Sequence, residues 1–122
     1  LAGGQLWVVF GCGGDRDVDK RAKMATIAET WANHVVVTDD NPRTESSKKI
    51  LNDISEGFKR LDRVTIEADR RRAIALTIGR AKAGDIVLIT GKGHETYQDV
   101  EGHKHYFSDQ EEVLVALAGG VF

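Results

Sequence analysis

His34-Val35-Val36-Val37-Thr38-Asp39-Asp40-Asn41-Pro42-Arg43 holds the most abrupt change of character in the chain. An apolar β-branched run reads as a strand. It then stops in a polar loop whose backbone is stiffened by Pro42, which pushes Asn41 towards an extended conformation. The same event occurs elsewhere. Leu6–Phe10 runs into Gly11-Cys12-Gly13-Gly14-Asp15-Arg16-Asp17, and Asp85–Thr90 runs into Gly91-Lys92-Gly93-His94-Glu95. A fourth strand is expected at Val64–Glu67. Stretches of helical period lie between these runs: Lys20–Trp31, with Ala22, Ala25, Ile27, Ala28 and Trp31 on roughly one face; Ser47–Arg60, with Ile50, Leu51, Ile54 and Phe58; and Arg70–Ala83, with Ala73, Ile74, Leu76 and Ile78. Strands alternating with helices signal βαβ units around a parallel sheet. The expected fold class is α/β, a doubly wound and mostly parallel sheet. Beyond Gly91 the pattern changes to a hairpin, Tyr97–Val100 and His105–Phe107 around Glu101-Gly102, and then a last helix over Asp109–Ala118 capped by Ser108 or Asp109.

Bulk properties narrow the field. A chain of 122 residues is one domain's worth and can bury a core. With 17 Lys and Arg against 19 Asp and Glu, a formal charge of -2 gives no electrostatic reason to expect nucleic acid or an anionic membrane as partner. No apolar run is long enough to cross a bilayer, so a cytoplasmic, monomeric protein is expected. The single cysteine, Cys12, fits a reducing compartment and reads as a small packed residue in a Gly-rich turn.

In an open parallel sheet, ligands bind outside the carboxyl ends of the strands, where the βα loops converge. Three loops of this chain fall there. The glycines of Gly11–Gly14 allow close backbone approach, although their spacing is neither a P-loop nor a dinucleotide fingerprint. The Asp39–Arg43 loop can hold both ends of an amino acid: the Arg43 guanidinium offers a planar fork to a carboxylate, while the Asp and Asn oxygens accept from an ammonium. The third loop presents Lys92, His94 and Glu95 within four residues. Any one is compatible with an ordinary turn. Three on one rim argue for a site.

Other polar residues carry less. Arg70-Arg71-Arg72 reads as a solvated first helical turn, flanked by Glu67 and Asp69. His103 and His105 lack a third ligand, so no metal site is expected. His34 is a packing or capping residue, and Trp7 and Trp31 fit core or edge positions.

The segments Phe10–Asp17, Thr38–Glu45 and Gly91–Glu95 together resemble, in order and spacing, the C-terminal domain of the Mur ligases, and the Asp-Asn-Pro-Arg run resembles the type that adds meso-diaminopimelate. The resemblance extends from about Gln5 to Leu117. It implies a Rossmann-like amino-acid-binding domain whose parent carries two further domains, a UDP-binding and a central ATP-binding one. It also implies roles. Arg43 would grip the distal carboxylate of meso-diaminopimelate, Asp40 and Asn41 would hold the same zwitterionic head, and Glu95 with the Gly91 backbone would take the distal ammonium. Arg16 would face the carboxylate at the reacting end, and Asp15 would lie near the nucleotide. ATP and Mg2+ would be bound mainly by the central domain, and no catalytic group is expected here, so the domain alone should be inactive. In the whole enzyme the glutamate γ-carboxylate would be phosphorylated and the diaminopimelate amine would attack it.

Two other readings stand beside this one. A receiver-like signalling domain is also doubly wound, but it needs a carboxylate pair after its first strand, where this chain has Gly11-Cys12-Gly13-Gly14. A lysine-adding or folylpolyglutamate-type ligase domain is disfavoured by Arg43.

Overall fold

The computed structural model describes residues 3–92 and 95–119. Gly93 and His94, named above in the third loop, lie outside the described residues. The elements run β1 (Leu6–Phe10), α1 (Asp19–Trp31), β2 (His34–Val37), α2 (Ser47–Ser55), a short 3-10 turn (Leu61–Arg63), β3 (Val64–Ile66), α3 (Arg70–Arg80), β4 (Ile86–Ile89), β5 (Tyr97–Val100), β6 (His103–Tyr106) and α4 (Asp109–Leu117). β1 to β4 form one sheet in the order β3-β2-β1-β4, parallel throughout. β5 and β6 make a separate antiparallel hairpin. The α/β, parallel-sheet expectation therefore holds.

Strand periodicity divides the core. Phe10, Val35 and Val37 face α1 and α2, where they meet Ala25, Ile50, Leu51, Ile54 and Phe58. Trp7, Val9 and Val36 face the other way, onto Ala73 of α3. α4 packs against α3. Trp7 also stacks on His34 at 4.0 Å and donates its indole N–H to Asp85, so His34 is a packing residue.

Several local expectations are corrected. In α1 the buried positions are Arg21 and Ala25, whereas Ile27 and Trp31 are 61% and 76% exposed. The helix is rotated so that a charged residue faces inwards, because Arg21 finds two carboxylates and a carbonyl there. Trp31, Ile27 and Met24 instead line an open apolar groove beside β4. α2 stops at Ser55 and not Arg60. Gly57 passes so close to α1 that a side chain there would collide with the Ala22 carbonyl, and its own carbonyl accepts from Thr26 at 3.0 Å. α3 ends at Arg80, since Ala81 is extended and Gly84 has φ of +91°. His103 belongs to β6, which ends at Tyr106.

Candidate functional site

The three loops do converge at the carboxyl end of the sheet, and a hydrogen-bond lattice joins them. Gly14 N donates to the Asn41 carbonyl at 2.7 Å, and Arg43 Nη1 donates back to the Gly14 carbonyl at 2.9 Å. A side chain at Gly14 would strike the Pro42 carbonyl, which is why the first loop needs glycine there. The hairpin completes the frame. Arg43 N donates to Asp99 O at 2.9 Å, Glu101 N donates to Arg43 O at 2.6 Å, and Gln98 Nε2 donates to Asp40 O at 3.0 Å. Arg43 itself sits in the left-handed region at φ of +54°. This strain for a non-glycine residue is held by backbone bonds on both of its sides.

Asp40 is ion-paired within the site. Its Oδ1 is buried and lies 3.1 Å from Lys92 Nζ, yet no donor is aligned to hydrogen-bond it. Gly91, at φ of +111°, stands against the other oxygen of the same carboxylate. Glu95 is nearby through two partners: its Oε1 is 3.4 Å from Asn41 Nδ2 and 4.0 Å from Lys92 Nζ. Asn41 differs from its sequence reading. It is 2% exposed, and its Oδ1 already accepts from Lys92 Nζ at 3.0 Å and from Asp99 N at 2.9 Å. That leaves the amide NH2 as the donor, and it donates to Glu95 Oε1 at 3.4 Å. Asp40 and Glu95 thus gather around the Lys92 ammonium, with the Asn41 amide donating to Glu95.

The remaining expected residues sit at the rim. Arg16 is exposed, its Nη1 donating to the Asp15 carbonyl at 3.2 Å, and so is free to reorient towards a ligand. Asp15, at φ of +56°, accepts from Thr44 Oγ1 with both carboxylate oxygens at 2.7 Å. In this conformation Asp15 braces the second loop. Among the described residues no group of three or more His, Cys, Asp and Glu side chains is placed to hold a metal ion. The Cys12 thiol is pushed up to about 11, first by burial, so it is protonated and inert at neutral pH.

Sequence reasoning missed the groups that hold the loops together. Arg21, 1% exposed, bridges Glu45 and Asp53 and donates to the Gly13 carbonyl at 3.1 Å. Glu45 in turn accepts from Asp15 N at 2.8 Å, so one buried cation ties the first loop to the segment after the second. Arg70 is the second such cation. The sequence reading places it in solvent with Arg71 and Arg72, but it is buried against Asp109 and donates to Asp39 O and Thr90 O, at the ends of β2 and β4. Arg71 and Arg72 do lie at the surface, paired with Glu112 and Glu67. Nothing in an Arg-Arg-Arg run marks which one turns inwards.

Comparison with known proteins places the chain in a family. A family model described as "Mur ligase, glutamate ligase domain" matches residues 1–93. The chain belongs to this Mur ligase family. Among curated Mur ligases, the UDP-N-acetylmuramoyl-L-alanyl-D-glutamate--2,6-diaminopimelate ligase of Pseudomonas aeruginosa is 53% identical over 96% of this chain and 24% of its own length. The enzyme of the same name from Xylella fastidiosa is 55% identical over 94% and 23%, and that of Aquifex aeolicus 49% over 98% and 25%. A solved structure of a ligase of this name superposes with a TM-score of 0.90 at 48% identity, covering 94% of this chain and 24% of that one. The chain spans about a quarter of the length of these relatives.

Proposed function

We propose that this chain is the amino-acid-binding domain of an ATP-dependent ligase that adds meso-diaminopimelate to UDP-N-acetylmuramoyl-L-alanyl-D-glutamate in peptidoglycan synthesis. The observation that carries this reading is the presence, on one rim, of the Asp40 and Glu95 carboxylates and the Arg43 guanidinium. Together they complement a zwitterionic α-amino-acid head. Relatives identical to the chain at about half of the aligned positions are named for 2,6-diaminopimelate.

On this reading the distal ammonium docks on Asp40, Glu95 and the Gly91 backbone, and the distal carboxylate on Arg43 and Asn41 Nδ2. Arg16 swings to the carboxylate at the other end. Selectivity over lysine follows from chemistry. Lysine lacks the distal carboxylate, so Arg43 and Asn41 Nδ2 would lose that anionic partner in a closed site, a loss of the kind that gives strong discrimination. ATP would activate the acceptor carboxylate, and ATP and Mg2+ would be held by the rest of the ligase; the domain's part is to orient the attacking amine. Asp15 is placed beside the nucleotide on this reading, through its family position.

Titrating the 15N-labelled chain with meso-diaminopimelate and with L-lysine tests the reading. Saturable shifts at Asn41, Arg43, Gly91 and Glu95 with diaminopimelate, and affinity for lysine weaker by about tenfold or more, are expected. Equal affinity for both ligands, or no shifts at these residues, would overturn it. The ligase assignment is tested by grafting the chain in place of the matching quarter of the Pseudomonas aeruginosa enzyme and assaying tripeptide formation.

A further inference from the structure

Lys92 is a fully enclosed charge at the rim: its side chain is 0% exposed, although it belongs to a loop. Its ammonium meets Asn41 Oδ1 at 3.0 Å, the Tyr97 carbonyl at 2.8 Å, Asp40 Oδ1 at 3.1 Å and Glu95 Oε1 at 4.0 Å. These groups include three of the polar residues placed above around the ligand head. Lys92 touches them from the protein side.

We propose that Lys92 is a positioning residue that fixes the Asn41 carboxamide in one orientation, so that Asn41 donates to the ligand's carboxylate and cannot accept from its ammonium. The inference rests on the reading of this rim as a diaminopimelate-binding site and specifies how one of its residues is set. A carboxamide is nearly symmetric in shape, so packing alone does not choose between its two flips. Here the choice is made by hydrogen bonding. Two donors, Lys92 Nζ and Asp99 N, converge on Oδ1. The flipped amide would turn its NH2 against both and lose both bonds in a buried place. Asp99 N, helped only by the longer 3.4 Å bond from Asn41 Nδ2 to Glu95 Oε1, would hold the flip less firmly. A cation is also the group that lets Asp40 and Glu95 stand close together as carboxylates, since like charges in a poorly solvated site repel. Lysine suits this because its compact ammonium hydrogen-bonds Asn41 and Tyr97 while ion-pairing with Asp40, which a flat guanidinium could not do in the same space.

The test uses meso-diaminopimelate and two variants. Lys92→Met keeps length and bulk but removes the charge and its protons. It should weaken binding by about tenfold or more and change the Asn41 side-chain amide resonances, from one sharp pair in the parent chain to shifted or exchange-broadened signals. A purely structural lysine would leave that amide pair unchanged. Asn41→Asp keeps an oxygen for Lys92 and Asp99 N, and so keeps the fold, but converts the outward donor into an acceptor. It should likewise weaken binding by about tenfold or more. If Lys92→Met does not fold, Asn41→Asp decides. Parent-like affinity in a folded Asn41→Asp, or in Lys92→Met, overturns the proposal while leaving the diaminopimelate reading intact. Failure of the parent chain to bind diaminopimelate removes both.

Discussion

The Arg70 guanidinium and the Asp109 carboxylate meet as two parallel bonds, Nε to Oδ1 and Nη2 to Oδ2, each 2.7 Å long. The pair joins the first turn of α3 to the first turn of α4, and the same guanidinium holds carbonyls at the ends of β2 and β4. Two of the three rim loops are thereby anchored to one buried cation. The framework of the site is electrostatic as much as apolar.

Removing one member of that pair leaves an uncompensated buried charge. Arg70→Met and Asp109→Ala should each lower stability by about 3–5 kcal/mol, and the combined loss in Arg70→Met with Asp109→Leu should be well below the sum. Urea denaturation of the three variants checks this. A single variant within about 1 kcal/mol of the parent would show the pair to be dispensable.

Two glycines should respond oppositely to alanine. Gly14→Ala places a methyl against the Pro42 carbonyl, so the first loop must leave the second, and diaminopimelate binding should fall along with stability. Gly79 lies in α3, where an added methyl would meet nothing within 4 Å, so Gly79→Ala should stabilise by about 0.5–1 kcal/mol. Thermal melts of both, with a ligand titration of the first, provide the measurement.

Acid should loosen the clasp between the first two loops. Glu45 is held down at about 2, chiefly by its hydrogen bond to Arg21 and then by the Asp15 backbone N–H. A carboxylate depressed on folding contributes stability that is complete above its unfolded value of about 4.3 and is lost as pH falls towards 2. Asp53, lowered by Lys49 and Arg21, acts in the same direction. Asp39, raised mainly by burial, acts in the opposite one. Glu45→Gln should therefore be less stable than the parent at neutral pH and lose less between about pH 4.3 and pH 2. Parallel stability curves for the two proteins would refute the assignment.

Glu95 separates recognition from bracing. Its backbone N–H closes a turn onto Lys92 O at 2.9 Å whatever the side chain does. If the carboxylate holds the distal ammonium, Glu95→Gln should cost about 1.5–3 kcal/mol of binding to diaminopimelate and much less to an analogue without the distal amine. Equal losses for both ligands would sink that role.

What the sequence determined by itself was the class of fold and the three loops that meet on one rim. β-branched runs that end in Gly-rich or Asp-Asn-Pro-Arg loops state their own period and their own stops, because strand burial and turn geometry are local properties. Ile50, Leu51 and Ile54 were legible as a core face for the same reason. Tertiary structure alone decided which charges turn inwards. Arg21, Arg70 and Lys92 look like surface residues in any local window, and each is buried because acceptors as far as 52 positions away converge on it. It likewise left Ile27 and Trp31 outside, since Arg21 had claimed the inner face of α1. The Asn41 carboxamide shows the limit most sharply. Its presence in the loop is written in the sequence, but whether it offers an oxygen or an NH2 to a ligand depends on Lys92 and Asp99, which reach it only through the fold.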